Sequence, residues 1–439
     1  MAIDPAATDV VRQDASADSL GAEQAWLPAS ETVSRSASLP HPKATAVARP
    51  ARRLRTYNIA FSVVCALLLV LMGASYRFLV RTGETTSPSA AAERQQSEDV
   101  LFGSALFFRP LPYKIALYKL RKPEVVIVGS SRATQFVRRG FTRPMANMGS
   151  MLDLMQVRRL LDAMLVEHKP KLIIMTVDFW WFNSDRSLNA VDLQPDGPGQ
   201  LSLIQLVQPF IWIAQSKITV NEFLAGALSP SYEPHGIGVR AIFEHAGYDT
   251  DGVGDYGSEL TDLHPRQFRD ALFATTLAHV DEQTAHNKFN VRTPLDEKQW
   301  QNLVDIVSLI QANGVDLILI LPPVSKVVAD RLSAGGPPIL LNELNERLAR
   351  IGVPVFDFHD PTSFGSSDCE FIDGFHGGRV TYLRMLDAIA RTGRTDIDSF
   401  VDRLVIDRLI AENVGRATFR DDERPGEHEI DFLGLGCKK

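Results

Sequence analysis

The chain contains one uncharged, apolar stretch of about 20 residues, which is the length of α-helix that crosses the hydrocarbon layer of a bilayer. It runs from Tyr57 to Tyr76, and tyrosines at both ends are typical of residues at the two membrane interfaces. A transmembrane helix is therefore predicted over residues 57–80. A cleaved signal peptide is disfavoured because its charged region would be unusually long, and a buried core helix because no polar stripe interrupts the run.

Basic residues are concentrated on one side of this stretch. Five precede it and two follow closely, namely Lys43, Arg49, Arg52, Arg53 and Arg55, then Arg77 and Arg81. The positive-inside rule predicts a single-pass protein of the inner membrane, with a cytoplasmic N-terminus and a periplasmic C-terminal domain. Residues 1–56 lack periodicity and predict a disordered cytoplasmic tail. Residues 81–100 have the Ser- and Thr-rich composition of a flexible linker.

Beyond residue 100, short apolar runs alternate with segments of helical periodicity. Strands are predicted at Glu124–Val128, Lys171–Val177, Val315–Leu321 and Val353–Phe358, and helices at Leu152–Glu167, Asp296–Ala312, Leu340–Ile351 and Ile397–Ile410. This alternation predicts an α/β domain over residues 101–415, with a parallel sheet covered by helices. Residues 183–294 interrupt the alternation and predict an insertion at the strand ends, and residues 416–439 predict a charged C-terminal tail.

Composition limits the partners of the chain. At 439 residues it is long enough for one large domain with appendages, and a net charge of -7 gives no support for nucleic-acid binding. The three cysteines, Cys65, Cys369 and Cys437, lack metal-ligand spacing, so no metal and no cofactor is predicted. Cys65 lies in the apolar stretch, so only Cys369 and Cys437 are left to pair in an oxidising compartment. Pairing is disfavoured because Cys437 is near a tail that we expect to be mobile.

Two separated motifs carry groups that nucleophilic catalysis requires. Residues 125–132 read Val-Val-Ile-Val-Gly-Ser-Ser-Arg, and residues 373–376 read Asp-Gly-Phe-His. A serine needs a base within hydrogen-bond reach and a third group that orients the base. Ser130 and Ser131 would lie at the carboxyl end of a parallel strand, where ligands bind in open α/β sheets. Each motif alone is explained by a turn or a helix cap, but together they predict a catalytic triad.

Three motifs resemble those of the SGNH (GDSL-like) hydrolase superfamily: Val-Gly-Ser-Ser-Arg after a strand, the turn Asn147-Met-Gly-Ser150, and the late Asp-x-x-His. The resemblance covers roughly residues 120–392 and implies a three-layer α/β/α sandwich. A membrane helix before such a domain is similar to envelope-polymer acylation proteins, such as the alginate O-acetylation and D-alanyl-lipoteichoic acid proteins. These often work beside a multi-spanning membrane acyltransferase.

The resemblance also implies roles for individual residues. Ser131 matches the nucleophile, His376 the base and Asp373 the orienting carboxylate. If residues 373–376 open a helix, their three-residue spacing puts both side chains on one face. The oxyanion hole would comprise the backbone N–H groups of Ser131 and Gly149 and the side chain of Asn183. The family's Gly-x-Asn-Asp block is missing, so Asp178 is the other residue that could take the asparagine's place.

The substrate-binding residues have two interpretations each. Arg132 could hold an anionic group or form a surface ion pair, and Trp180 and Trp181 could stack on a sugar or pack beneath the insertion. The expected function is a membrane-anchored serine esterase or O-acyltransferase that acts on acyl esters of an extracytoplasmic glycan or envelope polymer. The alternative is a weak or inactive module that binds glycan or acts as a scaffold for a membrane-bound O-acyltransferase.

Overall fold

The computed structural model describes residues 49–183, 197–261, 270–282, 287–419 and 428–439. The chain divides into two units, Met1–Leu71 and Met72–Lys439. Helix α1 spans Arg49–Arg81, and its residues Leu54–Arg81 are long and apolar enough to cross a membrane. Helix α1 begins before the predicted residue 57, so part of the predicted disordered tail is helical. The rest of that tail, residues 1–48, lies outside the described residues.

The described residues form thirteen α-helices and two sheets. Those that follow α1 are α2 (Pro88–Arg94), α3 (Pro110–Arg121), α4 (Leu154–Glu167), α5 (Gln208–Ala214), α6 (Val220–Leu228), α7 (Val239–Phe243), α8 (Ala274–Asp281), α9 (Glu297–Ala312), α10 (Lys326–Ala334), α11 (Ile339–Leu348), α12 (Arg379–Arg391) and α13 (Arg403–Glu412). The helices predicted to start at residues 152, 296 and 340 correspond to α4, α9 and α11. The one predicted at 397–410 begins later, because a short 3-10 turn occupies Asp396–Ser399.

Five parallel strands form the main sheet, in the order β2-β1-β3-β6-β7. They are β1 (Val125–Val128), β2 (Met145–Met148), β3 (Leu172–Thr176), β6 (Asp316–Leu321) and β7 (Val355–Asp357). A two-residue antiparallel ladder joins β4 (Gly247–Tyr248) to β5 (Gly254–Asp255). The four predicted strands are present and each is somewhat shorter than expected. Sequence analysis missed β2, because Met-Ala-Asn-Met lacks the β-branched run that marks a strand.

The side chains of the main sheet are buried on both faces. In β1, Val126 and Val128 belong to one hydrophobic cluster, whereas Val125 and Ile127 belong to another. The first cluster includes residues of α3, α4, α9 and α11, and the second includes residues of α12 and α13. Successive side chains of a strand point to opposite faces. The near-continuous apolar runs of these strands follow from this two-sided burial.

The segment predicted as a flexible linker is folded, so that prediction is wrong. Residues 81–100 include helix α2, whose Ala91 and Ala92 are fully buried. The buried Glu84 carboxylate accepts the backbone N–H groups of Ala105 (3.0 Å) and Val239 (2.6 Å). Small apolar side chains and one well-satisfied carboxylate thus fix a segment whose composition is typical of linkers. Burial raises the pKa of Glu84, because its effect is larger than the opposing effect of these hydrogen bonds.

The C-terminal residues are also held to the domain, which corrects the tail predicted at 416–439. Cys369 and Cys437 form a disulfide with their Cα atoms 5.7 Å apart. The buried Glu429 carboxylate accepts two backbone N–H groups at 2.9 Å and pairs with the Lys439 ammonium at 2.6 Å. Residues 420–427 lie outside the described residues. The segment around Cys437 is therefore packed on the domain, not mobile as expected, and this packing allows the pairing with Cys369.

Replacing Cys437 with serine should lower the free energy of unfolding by about 2–4 kcal/mol, because the disulfide no longer restricts the unfolded chain. Denaturant unfolding of the detergent-solubilised full chain measures the change. Cys65→Ser is the matched control, since this free cysteine lies in α1. Equal unfolding midpoints for the Cys437→Ser variant and the wild-type chain would contradict the expectation.

Candidate active site

Gly129 makes the turn that follows β1. Its φ is +154°, and a Cβ added there would lie 1.9 Å from the Thr176 hydroxyl oxygen, so only glycine fits without displacement. Ser130 then caps a 3-10 turn, Ser131–Gln135, by accepting the N–H of the residue two positions later at 3.1 Å. Ser131 is therefore the first residue of this turn, at the carboxyl edge of the parallel sheet.

The structure brings the two sequence motifs together. The Ser131 Oγ lies 2.9 Å from Nε2 of His376. On the other side of the ring, Nδ1 lies 2.8 Å and 3.0 Å from the two carboxylate oxygens of Asp373. An ionised carboxylate can only accept hydrogen bonds, so the Nδ1 position carries the proton and Nε2 is left to accept from the serine hydroxyl. This is the chain of contacts that a serine nucleophile needs for activation.

The Asp373 carboxylate is held in its ionised form. Burial alone would raise its pKa, but the His376 ring and the backbone N–H groups of Phe375 and His376 outweigh burial and lower the pKa to about 2. Those N–H groups donate to Oδ1 at 2.8 Å and 2.6 Å. Hydrogen bonds to a charged form stabilise it. Asp373 therefore remains a negative partner for the histidine at any physiological pH.

The segment that carries Asp373 and His376 is a loop before α12 and does not open a helix. The carbonyl of His376 accepts the Ile372 N–H at 2.9 Å, which closes the loop. Gly374 lies at its tip, where an added Cβ would come within 2.8 Å of Thr276. The loop brings the carboxylate to the imidazole through its own backbone hydrogen bonds. The three-residue spacing thus brings the Asp373 carboxylate to the His376 imidazole within a loop and not on one face of a helix.

Asp270 supports this loop through hydrogen bonds, and it was not predicted from the sequence. Its carboxylate accepts the Gly374 N–H at 2.8 Å and the Thr276 hydroxyl at 2.7 Å. In addition, the Gly374 carbonyl accepts the Ser325 N–H at 3.0 Å. Asp270 is a positioning residue for the triad loop. No sequence signal marks it, because it lies about 100 residues before the loop it holds.

Arg132 does not face the substrate side, which corrects both of its predicted roles. Its side chain is fully buried and forms an ion pair with Asp178 at 3.2 Å. It also donates to the backbone carbonyls of Pro322 (2.7 Å) and Pro323. Its guanidinium lies 4.6 Å from the centre of the Phe375 ring. Arg132 therefore ties together the loops around the site, and Asp178 is its partner rather than an oxyanion ligand.

The two tryptophans are buried packing residues. Trp181 is 1% exposed and its indole N–H donates to the Leu152 carbonyl at 3.1 Å. Trp180 is 5% exposed and packs against Phe375, with ring centres 4.7 Å apart. Neither ring has a free face for a sugar. Of the two interpretations from the sequence, packing is the one that the structure supports.

Two of the three predicted oxyanion donors are engaged elsewhere. The Gly149 N–H donates to the side-chain oxygen of Asn147 at 2.9 Å. The Asn183 amide is buried and donates to the carbonyls of Asn290 (3.3 Å) and Asn287 (3.4 Å). Both groups are thus occupied by internal hydrogen bonds, and their predicted role as oxyanion donors requires these bonds to be exchanged. The backbone N–H of Ser131 is the remaining candidate of the predicted set.

Asn147 stabilises the turn that presents Ser131. Besides accepting from Gly149, its amide donates to the backbone carbonyls of Ala133 at 2.9 Å and Phe136 at 3.2 Å. Asn147 is fully buried in the middle of β2. This polar side chain of an edge strand thus fixes the turn that carries Ser131, which follows the neighbouring strand β1.

The segment 183–294, predicted as an insertion, contributes a residue to the surroundings of the triad. The ring of Tyr256 lies 6.4 Å from the imidazole of His376, centre to centre. Burial and the nearby Asp373 charge raise the pKa of Tyr256, so the phenol stays protonated, and it hydrogen-bonds to Thr134. Parts of the segment, residues 184–196, 262–269 and 283–286, lie outside the described residues. Of the described part, Tyr256 thus lies beside the triad.

Across the parts of the chain that the structure describes, no cluster of three His, Cys, Asp or Glu side chains is suited to a metal ion. The arrangement brings together a serine hydroxyl, an imidazole and a fixed carboxylate. Groups of these types can carry out acyl transfer through a covalent intermediate.

The comparisons with known proteins leave the family open. A scan against protein-family models finds no match, and a search of curated proteins finds no similar sequence. The site geometry is therefore the basis for assigning a function.

Replacing Asp373 with asparagine should destabilise the fold in a pH-dependent way. The folded-state pKa of about 2 lies below the unfolded value of an aspartate. The carboxylate thus contributes stability that is fully present above about pH 4, roughly 2 kcal/mol, and is lost as the pH falls towards the folded-state pKa. Unfolding midpoints of the wild-type and Asp373→Asn chains, measured across acidic pH, should converge over that window.

The exposed Asp162 on α4 provides the control for this measurement. It forms an exposed ion pair with Arg158, so Asp162→Asn should change stability by less than about 1 kcal/mol. A difference between the wild-type and Asp373→Asn chains that stayed constant through the whole acidic range would contradict the linkage.

Proposed function

We propose that the protein is a membrane-anchored serine esterase or O-acyltransferase that uses Ser131, His376 and Asp373. The observation that carries this function is the continuous line of contacts from the serine oxygen to the carboxylate, at 2.9 Å and 2.8 Å. A serine hydroxyl, an imidazole and a partly buried carboxylate within these distances are the components of acyl transfer on several unrelated folds.

Each step has an assigned group. The Ser131 oxygen attacks the acyl carbonyl of an ester donor while Nε2 of His376 takes the hydroxyl proton. The protonated ring, stabilised by Asp373, then returns that proton to the leaving alcohol, and an acyl-serine remains. In the second half, His376 takes a proton from water or from a sugar hydroxyl, whose oxygen attacks the acyl-serine. The bond between the acyl carbon and the Ser131 oxygen then breaks, and Nε2 of His376 returns the proton to that oxygen, which restores the free serine and histidine. Water gives hydrolysis, and a sugar hydroxyl gives O-acylation.

We also propose the three-layer α/β/α sandwich of the SGNH-like hydrolases as the architecture. Two features support it: the parallel strand order β2-β1-β3-β6-β7 and the separate apolar clusters that take alternate side chains of the strands. In doubly wound sheets, ligands bind where the strand order reverses. Ser131 follows β1, which is the strand at that reversal.

An extracytoplasmic glycan or envelope polymer is the substrate class that we propose. The disulfide between Cys369 and Cys437 supports an oxidising compartment outside the inner membrane. The distribution of basic residues around α1 supports the same orientation. A multi-spanning membrane acyltransferase that supplies acyl groups is the partner implied by the resemblance to polymer acylation proteins.

The alternative is a weakly active or inactive module that binds glycan or acts as a scaffold for the membrane acyltransferase. One observation favours it: the N–H of Gly149 and the amide of Asn183 are both engaged in internal hydrogen bonds. Losing one oxyanion donor lowers kcat by about 100- to 1,000-fold. A complete triad with an incomplete oxyanion hole is consistent with low turnover.

Ser131→Ala should abolish covalent labelling by a fluorophosphonate probe, because the probe reacts only with an activated serine. Gel-based labelling of the detergent-solubilised full chain measures this. Ser130→Ala is the neighbouring control and should still be labelled, since the Ser130 hydroxyl caps the turn and Ser131 is the serine hydrogen-bonded to His376. Loss of labelling in Ser130→Ala alone would show that Ser130, and not Ser131, is the nucleophile. Equal labelling of all three chains would argue against catalysis.

Acetyl-ester turnover should fall by about 100-fold or more in His376→Gln, because general-base catalysis contributes about that much. Turnover is measured with the full chain in vesicles, with and without an oligosaccharide acceptor. An O-acyltransferase gives acetylated oligosaccharide, and an esterase gives free acetate in both cases. His359→Gln is the matched control, since His359 follows β7 and lies outside the triad. If both variants and the wild-type chain were equally inactive, the scaffold function would be favoured.

A further inference from the structure

The last turns of helix α1 belong to the globular unit, which begins at Met72. Phe78 and Leu79 are fully buried and share a hydrophobic cluster with residues of α5, α6 and α7. The Arg81 side chain donates to the backbone carbonyls of Gly226 at 3.4 Å and Tyr232 at 2.9 Å. This end of the helix is therefore fixed in the domain by apolar packing and by a charged donor at the end of α6.

Exposed apolar side chains are concentrated around this fixed helix end. Among the described residues outside α1, seven of the sixteen large hydrophobic side chains that are exposed fall between residues 203 and 228. We call them the collar: Leu203, Ile204, Val207, Ile211, Val220, Leu224 and Leu228. A concentration of this kind in about 26 consecutive residues is more than the scattered exposure normal for a soluble surface.

Helix α6 shows that the collar is a built face and not a fraying loop. Its outer residues Val220, Leu224 and Leu228 follow one another at four-residue spacing, which places them on one side of the helix. The opposite side buries Phe223, whose ring centre lies 5.2 Å from that of Phe78. A capping box formed by Thr219 and Glu222 fixes the first turn of the helix. Helix α6 is thus apolar on both sides.

The segment before α6 has the same character. Residues 201–214 contain no charged side chain. Phe210 packs on Phe223 with ring centres 5.4 Å apart, and the Ser75 hydroxyl donates to the Leu206 carbonyl at 2.5 Å. Ile204, at 80% exposed, lies on the outside of this segment. An uncharged surface helix packed on the end of a membrane-length helix fits the boundary between lipid headgroups and acyl chains.

We propose that the collar lies in the membrane interface and holds the globular unit on the lipid surface. The partner of this face is the bilayer itself. Phe78, which packs with the helices that carry the collar, is only seven residues from residue 71 of the same apolar helix. The exposed Tyr76 stands between these two positions, and tyrosine is enriched at lipid–water interfaces. The inference depends on the proposed membrane anchor, and it is independent of the triad.

Site-directed fluorescence of the full chain tests the collar. Ile204→Cys and Leu224→Cys are made in a Cys65→Ser background, where the remaining cysteines are joined in the disulfide. Each is labelled with an environment-sensitive fluorophore and reconstituted into vesicles of phosphatidylcholine and phosphatidylglycerol without any other protein. Leu404→Cys is the matched control, since Leu404 is 84% exposed on α13.

Collar labels should be quenched several-fold less by aqueous iodide than the label at residue 404, and they should be quenched by doxyl groups placed near the lipid headgroups. Iodide quenching equal to that at residue 404 would overturn the collar. Protection in native membranes but not in pure lipid would assign the face to a protein partner and also overturn it. A chain that failed to float with the vesicles would overturn the anchor and the collar together, whereas failure of the triad would leave both unchanged.

Discussion

The buried guanidinium of Arg132 holds the carboxyl edge of the sheet together. It pairs with Asp178 after β3, donates to the carbonyls of Pro322 and Pro323 after β6, and lies against Phe375 in the triad loop. Burial lowers the pKa of the arginine, but the nearby carboxylate opposes this. Removing one partner of such a pair costs about 3–5 kcal/mol, because the other charge is left buried alone. This ion pair therefore contributes to the positions of three loops around the site at once.

This inward side chain also explains why its neighbour Ser131 is the serine that meets His376. Gly129 forces a sharp turn after β1, Ser130 closes the 3-10 turn, and Arg132 anchors the turn to the interior. Ser131 is left between them with its hydroxyl directed at His376. A short turn with its neighbours fixed on both sides restricts the serine before any substrate binds, which reduces the ordering needed at the reactive atom.

How far the sequence could predict this structure depends on the range of the interactions involved. The long strands and the triad were accessible, because apolar runs are local patterns and Ser131, Asp373 and His376 belong to short motifs. Strand β2 was missed, since its pairing with β1 outweighs a weak local preference. The burial of Trp180 and the pairing of Cys437 with its distant partner depend on packing, and no local pattern reports either.

The rate of the proposed acyl transfer depends on what Gly149 can contribute. To bind an oxyanion, its N–H must leave the side-chain oxygen of Asn147. Leaving that buried acceptor unsatisfied costs about 1–3 kcal/mol, whereas an oxyanion donor contributes about 3–4 kcal/mol in the transition state. The net gain is small, so Ser131's own N–H should carry most of the stabilisation. A donor supplied by a membrane acyltransferase partner would raise the rate more than rearrangement within the chain, which would make turnover dependent on assembly.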